Sequence, residues 1–424
     1  MHYQVVIIGG GPSGTGAGIT LQKAGVRTCI VDKAQFPRQK LCGGLVTRKT
    51  KDLLNSIITD RTEEEIWGEV SSGGHTQLSL YNRFEKAVSV EIGVPYDTVY
   101  RKVYDDYLVR YYQEKGGVLM DGKLPVRLDT DNRELELQSG EILTYDYLIA
   151  ADGANSWVGH RLGRTFGGKL FCLEINIRKE DFDYDGIGIY FDVIGVGYAW
   201  VFPKNDLYCI GLGSTRKDTK QYRAIFQDFL QRIGVRNWES YPMRAAFVPG
   251  GGFLKKPVFG ERVLFVGDAA GFADPLTGEG LFWSMYSGKQ AAEAIIAAAA
   301  AVAAKVPASA TAAASAAAVK DSAEMSAKDS ASAAAEVPVT ATAAVDYLQR
   351  CKPIQKNIKS VLRTRILFHP PLYQFWLKNV GGHPNFVRYF SDHQLSQYEG
   401  EGAVSELLKK VPRRYLKHFF KRNV

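Results

Sequence analysis

The stretch QVVIIGGGPSGTGAG at residues 4–18 decides the fold, because an apolar run passes directly into a glycine-dense turn. The apolar run is typical of a buried strand. Gly9, Gly11 and Gly14 follow it in the spacing G-x-G-x-x-G. In such a turn the first glycine permits a sharp bend, the second lets backbone N–H groups approach a pyrophosphate, and the third lets helix and strand pack closely. The stretch therefore predicts a strand, a phosphate-binding turn and the start of a helix.

A second strand with an acidic end completes this unit. VRTCIVD at residues 26–32 is a predicted strand, and Asp32 follows Gly9 by 23 residues. An acid in this place can accept hydrogen bonds from ribose hydroxyls, while the helix N-terminus faces the phosphates with unsatisfied N–H groups. These residues predict a dinucleotide site, and they leave NAD and FAD both open.

A distant segment, RVLFVGDAAGFADPLTGEGLFWSMYSG at residues 262–288, narrows the choice. It predicts a strand that ends at Gly267-Asp268, then a glycine-bearing turn and a helix. Asp268 is expected to bond the ribityl hydroxyls or the pyrophosphate side of an extended dinucleotide. Gly278 and Gly280 are expected to let backbone approach a flavin ring, with the positive end of the helix directed at the N1–C2 carbonyl edge. The two ends of the chain together indicate FAD.

The whole chain predicts an α/β protein in which a Rossmann-type FAD-binding domain is interleaved with an antiparallel β-rich substrate domain, followed by a helical C-terminal region. An insertion is predicted because 24 of 49 residues between positions 297 and 345 are alanine, with few large apolar groups to pack. The predicted ranges are 1–75, 95–165 and 255–296 for the FAD-binding domain, 76–94 and 166–254 for the substrate domain, 297–345 for a flexible insertion, and 346–424 for the basic helical C-terminal region.

Composition limits the setting and the partners. The five cysteines are scattered without a C-x-x-C pair, which predicts a reducing compartment and no metal site. The first residues form a predicted strand, so we expect no signal peptide. The sequence has no apolar stretch long enough to predict a membrane span. These features predict a cytoplasmic protein, and no nucleic-acid partner is expected.

The positive charge is concentrated at the C-terminal end. Residues 346–424 contain 15 Lys and Arg against 5 Asp and Glu, within a chain of net charge +8. In ELLKKVPRRYLKHFFKR, residues 406–422, apolar side chains recur at helical spacing among basic ones. This pattern predicts either peripheral contact with an anionic membrane or a docking segment packed on the protein itself.

Three further segments carry a family resemblance. LIAADGANS (148–156) resembles the Asp-Gly turn of flavoproteins of the p-hydroxybenzoate hydroxylase fold group. FPRQKLCGG (36–44) resembles the PRxKxCG segment of the geranylgeranyl reductase family, and GYAWVFPK (197–204), followed by GLG, resembles its YxWxFP segment. The resemblance implies a protein that adds hydrogen across carbon–carbon double bonds of isoprenoid chains, using FAD and an external electron donor such as NAD(P)H or ferredoxin.

The resemblance also implies roles for individual residues. Cys42, Gly43 and Gly44 would lie beside the isoalloxazine, and Tyr198, Trp200 and Phe202 would line the substrate cavity, since alternate residues of a strand share one face. Cys42 and Tyr198 are the candidate catalytic residues. Cys42 has no partner in a C-x4-C pair, because Thr47 occupies that place; it supplies shape or a proton, or is simply a small buried hydrophobe. The remaining implied FAD contacts are Gly9, Gly11, Ser13, Gly14, Asp32, Lys33, Arg101, Asp268, Gly280 and Leu281.

Three functions are compatible with these motifs. The first is a reductase that saturates an isoprenoid or other apolar lipid substrate. The second is an aromatic or alkene monooxygenase of the same fold, which the Gly-Asp and Asp-Gly turns fit equally; flavin-dependent halogenases resemble the chain less, because their GWxWxIP segment has no counterpart here. The third is a protein that holds flavin or lipid without turnover.

Overall fold

The computed structural model describes residues 1–214, 219–304, 340–364 and 383–395. The strands are β1 His2–Ile8, β2 Thr28–Val31, β3 Leu45–Val46, β4 Ser71–Asn82, β5 Glu85–Val99, β6 Val118–Met120, β7 Pro125–Asp129, β8 Glu134–Leu137, β9 Ile142–Ala150, β10 Lys169–Arg178, β11 Ile187–Phe191, β12 Gly197–Pro203, β13 Leu207–Ser214, β14 Arg244–Pro249, β15 Val258–Phe259 and β16 Val263–Phe265. The helices are α1 Pro12–Lys23, α2 Arg48–Ile57, α3 Glu63–Val70, α4 Arg101–Glu114, α5 Trp157–Arg161, α6 Thr219–Arg232, α7 Gly267–Ala270, α8 Leu281–Ala303, α9 Thr340–Arg350, α10 Lys352–Thr364 and α11 Pro384–Tyr389, with a 3-10 turn at Trp238–Ser240 and a π-helical turn at Phe390–Leu395.

The first sheet has a parallel centre. Strands β16, β9, β1, β2 and β6 are neighbours in that order and run parallel, and β15, β8 and β7 extend the sheet in antiparallel pairs. Strand β1 is apolar almost throughout because a parallel strand is covered on both faces, and Val5, Val6 and Ile7 have no exposed surface. Helices α1 and α8 pack against each other beside it. This layer confirms the Rossmann-type part of the predicted fold.

The second sheet has the order β14-β10-β13-β12-β11-β4-β5-β3. All its pairs are antiparallel except β11 with β4. Helix α6 covers one face, where Tyr222, Phe226 and Phe229 have no exposed surface. The other face is turned toward the nucleotide-binding turn of the first domain. The β-rich part of the predicted fold class is thus confirmed, with one parallel pair that alternation of side chains could not reveal.

Several boundaries differ from those that the sequence predicts. Strands β4 and β5 extend the second sheet to residues 71–99, beyond the predicted 76–94. Both ends of the predicted insertion are helical and packed, since α8 continues to Ala303 with Ala298 buried, and α9 begins at Thr340 with Ala343 buried. Residues 305–339 lie outside the described part of the chain, as does the basic segment 406–422.

The described part of the C-terminal region is helical, as predicted. Helix α9 is anchored to the first sheet by the buried hydroxyl of Tyr347, which donates a hydrogen bond of 2.6 Å to the carbonyl oxygen of Phe265. Within the described ranges, no helix has the length and apolar character needed to cross a membrane.

Candidate functional site

A cavity of about 1010 Å³ lies between the two sheets. Its floor is formed by the loops at the carboxyl ends of β1, β2, β9 and β16, where parallel sheets bind their ligands. Its roof is the face of the second sheet that α6 does not cover. Every residue that the sequence assigns to cofactor or substrate lines this cavity except Gly14.

The glycine turn has the geometry of a phosphate cradle. Gly9 has φ +108°, a conformation that favours glycine, and a side chain there would overlap the carbonyl of Ala151. At Gly11 an added Cβ would have Arg38 Nη2 as its nearest neighbour, at 3.6 Å, so the turn is open toward the cavity. Helix α1 begins at Pro12 without a side-chain cap, and its first N–H groups face this space.

Gly14 has the packing role that the motif predicts for its third glycine. It does not line the cavity, and a side chain there would overlap the carbonyl oxygen of Gly9 and reach Ile7. Its missing side chain therefore lets α1 pack closely against β1, which is the packing role of the third glycine in the motif.

Asp32 is buried and is held in place by the backbone around it. One carboxylate oxygen accepts the N–H of Gly10 at 2.8 Å and the other accepts the N–H of Ala34 at 2.9 Å. A carboxylate has about four acceptor sites, so two remain for ribose hydroxyls. Lys33 is exposed at the rim of the same cavity.

A buried charge cluster lies beside the glycine turn. Arg101 contacts Asp105 through Nε at 2.7 Å and Nη2 at 2.8 Å, and Arg38 Nη1 lies 3.2 Å from the same carboxylate. Burial alone would lower the pKa of Arg101, but pairing with Asp105 and contact with Cys42 raise it, so the side chain is a fixed positive charge. Asp105 was not among the predicted site residues, although its i,i+4 spacing from Arg101 on a helix predicts a pair.

Asp152 lines the cavity but was not among the site residues predicted from the sequence. Its Oδ2 accepts the N–H of Val158 at 3.0 Å, whereas its buried Oδ1 has no hydrogen-bond partner in the described ranges. Burial raises the pKa of this carboxyl. The residue itself lines the cavity beside the nucleotide-binding turn.

The segment that follows β16 closes the floor of the cavity. Asp268 is half-buried, and burial raises the pKa of its carboxyl while Lys40 and Arg101 oppose the rise. Gly278 has φ +70° and a Cβ built there would lie 3.4 Å from the Tyr198 hydroxyl. Gly280 precedes α8 and carries no side-chain cap, so a second helix N-terminus opens onto the cavity at Leu281.

The segment Cys42–Gly44 lies opposite this floor. Cys42 is half-buried, and its Sγ accepts the N–H of Gly44 at 3.4 Å. An added Cβ at Gly43 would lie 2.7 Å from the ring of Phe202, so the glycine permits close approach of the second sheet.

The three predicted substrate aromatics form one wall on β12. Trp200 lies 5.9 Å from Tyr198 and 6.0 Å from Phe202 between ring centroids. Gly211 on β13 makes room for the indole, because a side chain there would overlap it. The Tyr198 hydroxyl donates a hydrogen bond to the carbonyl oxygen of Thr277, and burial raises its pKa. Of the two catalytic candidates, Tyr198 thus has its proton committed to the backbone.

The cavity continues past this wall into a space that we call the apolar chamber. It extends across β11 and β4 to β5 and to the C-terminal helical turns. These lining residues on β4 and β11 were not predicted, although alternation along each strand indicates which side chains share a face. The residues that define the chamber are Leu78, Leu80, Tyr96, Ile187, Ile189, Tyr198, Trp200, Phe202, Phe386, Val387 and Phe390.

Glu279, in the turn before α8, connects that turn to the start of α2 at Thr47 and Lys49. Its Oε1 accepts the hydroxyl of Thr47 at 2.7 Å and its Oε2 lies 2.5 Å from Lys49 Nζ. Lys49 is buried, and its ammonium lies 5.0 Å from the ring centroid of Phe282. Neither member of this pair was singled out from the sequence.

These features fit FAD. The glycine cradle and one uncapped helix N-terminus suit a pyrophosphate, Asp32 suits a ribose, and the second helix N-terminus suits the electron-rich edge of a flavin. Asp152 adds a carboxyl group to the lining of the same cavity.

Comparisons with known sequences agree with this geometry. A family described as FAD binding domain matches residues 2–306. An uncharacterized protein of Methanosarcina barkeri is 30% identical over 300 residues, covering 69% of this chain and 74% of that protein. Digeranylgeranylglycerophospholipid reductase 1 of Methanococcoides burtonii is 29% identical over 319 residues, covering 69% of this chain and 75% of that protein.

Solved structures share the fold. A geranylgeranyl bacteriochlorophyll reductase-like protein of Thermoplasma acidophilum superposes with a TM-score of 0.70 at 16% identity, covering 99% of both chains. A variant of the halogenase PltM in complex with FAD gives a TM-score of 0.65 at 17% identity, covering 89% of this chain and 78% of that chain. The chain belongs to the FAD-binding domain family, and its resemblance to the geranylgeranyl reductase family of FAD-dependent oxidoreductases is confirmed.

Proposed function

We propose that the protein is an FAD-dependent reductase that saturates carbon–carbon double bonds of an isoprenoid or other apolar lipid chain. The observation that carries the proposal is the apolar chamber, which is continuous with the loops at residues 42–44 and 275–280, called the flavin loops below. Trp200, Ile189 and Leu80 lie on neighbouring strands of one sheet face. Such a surface suits an extended hydrocarbon and offers few groups to orient a polar substrate.

The residues around the cofactor have separable tasks in this proposal. When bound, FAD supplies the hydride. The first turns of α1 hold the pyrophosphate, Arg101 provides a fixed positive charge, and the N-terminus of α8 stabilises negative charge on the reduced ring. Tyr198 joins the aromatic wall to the backbone at Thr277, which keeps the substrate face at a fixed distance from the flavin loops.

Cys42 is the proposed source of the proton. It lines the cavity between the flavin loops and the aromatic wall, it is half-buried, and its side chain contacts the Arg101 guanidinium. The proton held at Sγ would be passed to the substrate carbon adjacent to the one that receives hydride.

The electron donor and the membrane are further parts of the proposal. NAD(P)H or ferredoxin would reduce the flavin from outside. The cluster of Lys and Arg in residues 406–422 supports peripheral contact with anionic lipid, where an apolar chain would be collected. Flotation with acidic liposomes tests this contact, and protein that stays in solution would remove it.

The central test is single-turnover reduction without oxygen. The FAD-loaded protein, reduced chemically, is mixed with polyprenyl substrates, and the products are examined by mass spectrometry for added hydrogen pairs. Cys42→Ser should slow this step by about a hundredfold or more, the scale of a lost general acid. Cys351→Ser is the matched control, because Cys351 is buried between α9 and α10 and does not line the cavity. Flavin reoxidation without a hydrogenated product would refute the reductase.

A monooxygenase is the second candidate, because the Gly267-Asp268 and Asp152-Gly153 turns fit it equally. It predicts oxygen consumption that equals the yield of a hydroxylated product. A flavoprotein that neither reductant nor substrate can cycle would instead support the non-catalytic alternative.

A further inference from the structure

The far side of the apolar chamber is closed by a helical segment that is distant in sequence. Phe386, Val387 and Phe390 line the cavity from α11 and the π-helical turn, and we call these three residues the end wall. The rings of Phe386 and Phe390 stack with centroids 6.2 Å apart and an interplanar angle of 7°. Val387 is buried in the same apolar cluster as Leu78 and Trp200.

The end wall is attached to one strand by polar contacts. The Asp392 carboxylate accepts the N–H of Gly93 at 3.0 Å and that of Val94 at 3.2 Å. Arg388 Nε donates to the carbonyl oxygen of Glu91 at 2.9 Å. Two backbone N–H groups of β5 bind this one carboxylate, so it fixes the position of the segment on the strand.

The placement of the end wall gives the chamber a defined length. The aromatic wall beside the flavin loops is on β12, and the end wall rests on β5, with β11 and β4 between them. Neighbouring strands are separated by about 4.8 Å, so three spacings give a path of about 14 Å along the sheet face. An apolar chain that enters from the flavin side meets two stacked phenyl rings at the end of this path.

We propose that the end wall sets the maximum length of the apolar chain that the protein accepts. The inference rests on the proposed function and goes beyond it by assigning length selectivity to Phe386, Val387 and Phe390. A chain with one more isoprene unit is excluded because the rings fill the space that its last carbons would need. Protein interiors are packed closely, so such exclusion is steep: one methylene of misfit changes specificity about 10- to 200-fold.

The test uses a ladder of prenyl chains that differ by one isoprene unit, in two formats. Turnover is measured on the unsaturated chains, and dissociation constants are measured on their saturated counterparts from the quenching of tryptophan fluorescence, since Trp200 lines the chamber. Phe386→Ala and Phe390→Ala should raise the ratio of kcat/KM for the next longer chain to that for the best wild-type chain by about tenfold or more. Their dissociation constants should shift in the same direction.

Two further variants separate the wall from general damage. Asn385→Ala is the matched control, because Asn385 is exposed on the same helix and does not line the cavity; it should leave the length limit unchanged. Asp392→Ala alters no wall side chain but removes the contact with β5, and it should also raise the limit.

The outcomes distinguish this inference from the proposed function. If the wild-type protein binds saturated chains up to a limit that the wall variants extend, but reduces none of the unsaturated ones, the inference stands and the reductase does not. If the wild-type protein reduces chains and the wall variants keep its length limit, the inference is wrong and the reductase stands. Absence of any length limit in wild-type binding would also overturn the inference.

Discussion

Removing Glu279 should destabilise the protein strongly, because the buried ammonium of Lys49 would lose its counter-ion. The side chains of Lys49 and Glu279 are 9% and 11% exposed, and their charged atoms are 2.5 Å apart. Loss of one partner of a buried ion pair typically lowers the free energy of unfolding by about 3–5 kcal/mol. Glu279→Ala also removes the acceptor for the Thr47 hydroxyl, so we expect a loss within that range.

Urea unfolding of the FAD-saturated protein measures this loss, with the m-value as a check that the unfolding reaction is unchanged. The double variant Lys49→Met/Glu279→Gln should recover most of the loss, because a neutral pair of similar volume leaves no charge buried alone. Asp228→Ala breaks the exposed pair with Arg232 on α6 and should cost at most about 0.5 kcal/mol. If Glu279→Ala cost no more than Asp228→Ala, the reasoning about a buried pair would be refuted.

Three other changes have definite expected outcomes. Gly14→Ala should abolish FAD retention, because the new methyl group forces α1 away from the phosphate turn. Retention is measured by the flavin absorbance of the purified protein. Gly68→Ala is the control and should retain FAD fully, because a methyl group at Gly68 meets open space. Tyr198→Phe should lower the free energy of unfolding by about 1 kcal/mol, because the hydrogen bond to Thr277 is lost. Its turnover should change only a few fold. A fall in turnover of about a hundredfold or more would identify the hydroxyl as a proton donor. Burial raises the pKa of Glu174 above 4.5, so the folded state holds the carboxyl proton more tightly than the unfolded state. The free energy of unfolding should therefore fall as pH rises from about 4.5 toward the folded pKa. Glu174→Gln should lessen this slope in urea titrations at several pH values.

The cofactor half of the site was predictable because its chemistry acts through the backbone. A phosphate approaches N–H groups only where side chains are absent, so Gly9 and Gly11 mark its position in the sequence itself. The same logic identified Gly278 and Gly280. Where a side chain and not the backbone lines the site, the sequence was less informative. Asp152 belongs to a recognised motif, yet its unpartnered oxygen became apparent only from the fold.

The reason lies in how partners are separated along the chain. Thr47 and Glu279 are 232 residues apart, and each looks like an ordinary polar residue near a glycine or a helix start. Spacing rules recognise pairs within one element, such as Arg101 with Asp105, because helix geometry fixes the distance. They give no information on a pair whose distance depends on two loops from opposite ends of a domain.

The shape of the cavity, like the polar pairs, depends on residues that are distant in sequence. Alternation along β12 predicts that Tyr198, Trp200 and Phe202 share a face, and that prediction needs only the strand itself. The extent of the space in front of that face depends on Phe386 and Phe390, which no local pattern connects to β12. Their segment is held there by bonds from Asp392 and Arg388 to the backbone of β5. The aromatic wall is therefore predictable from local sequence, whereas the extent of the cavity in front of it depends on a contact between positions 93 and 392.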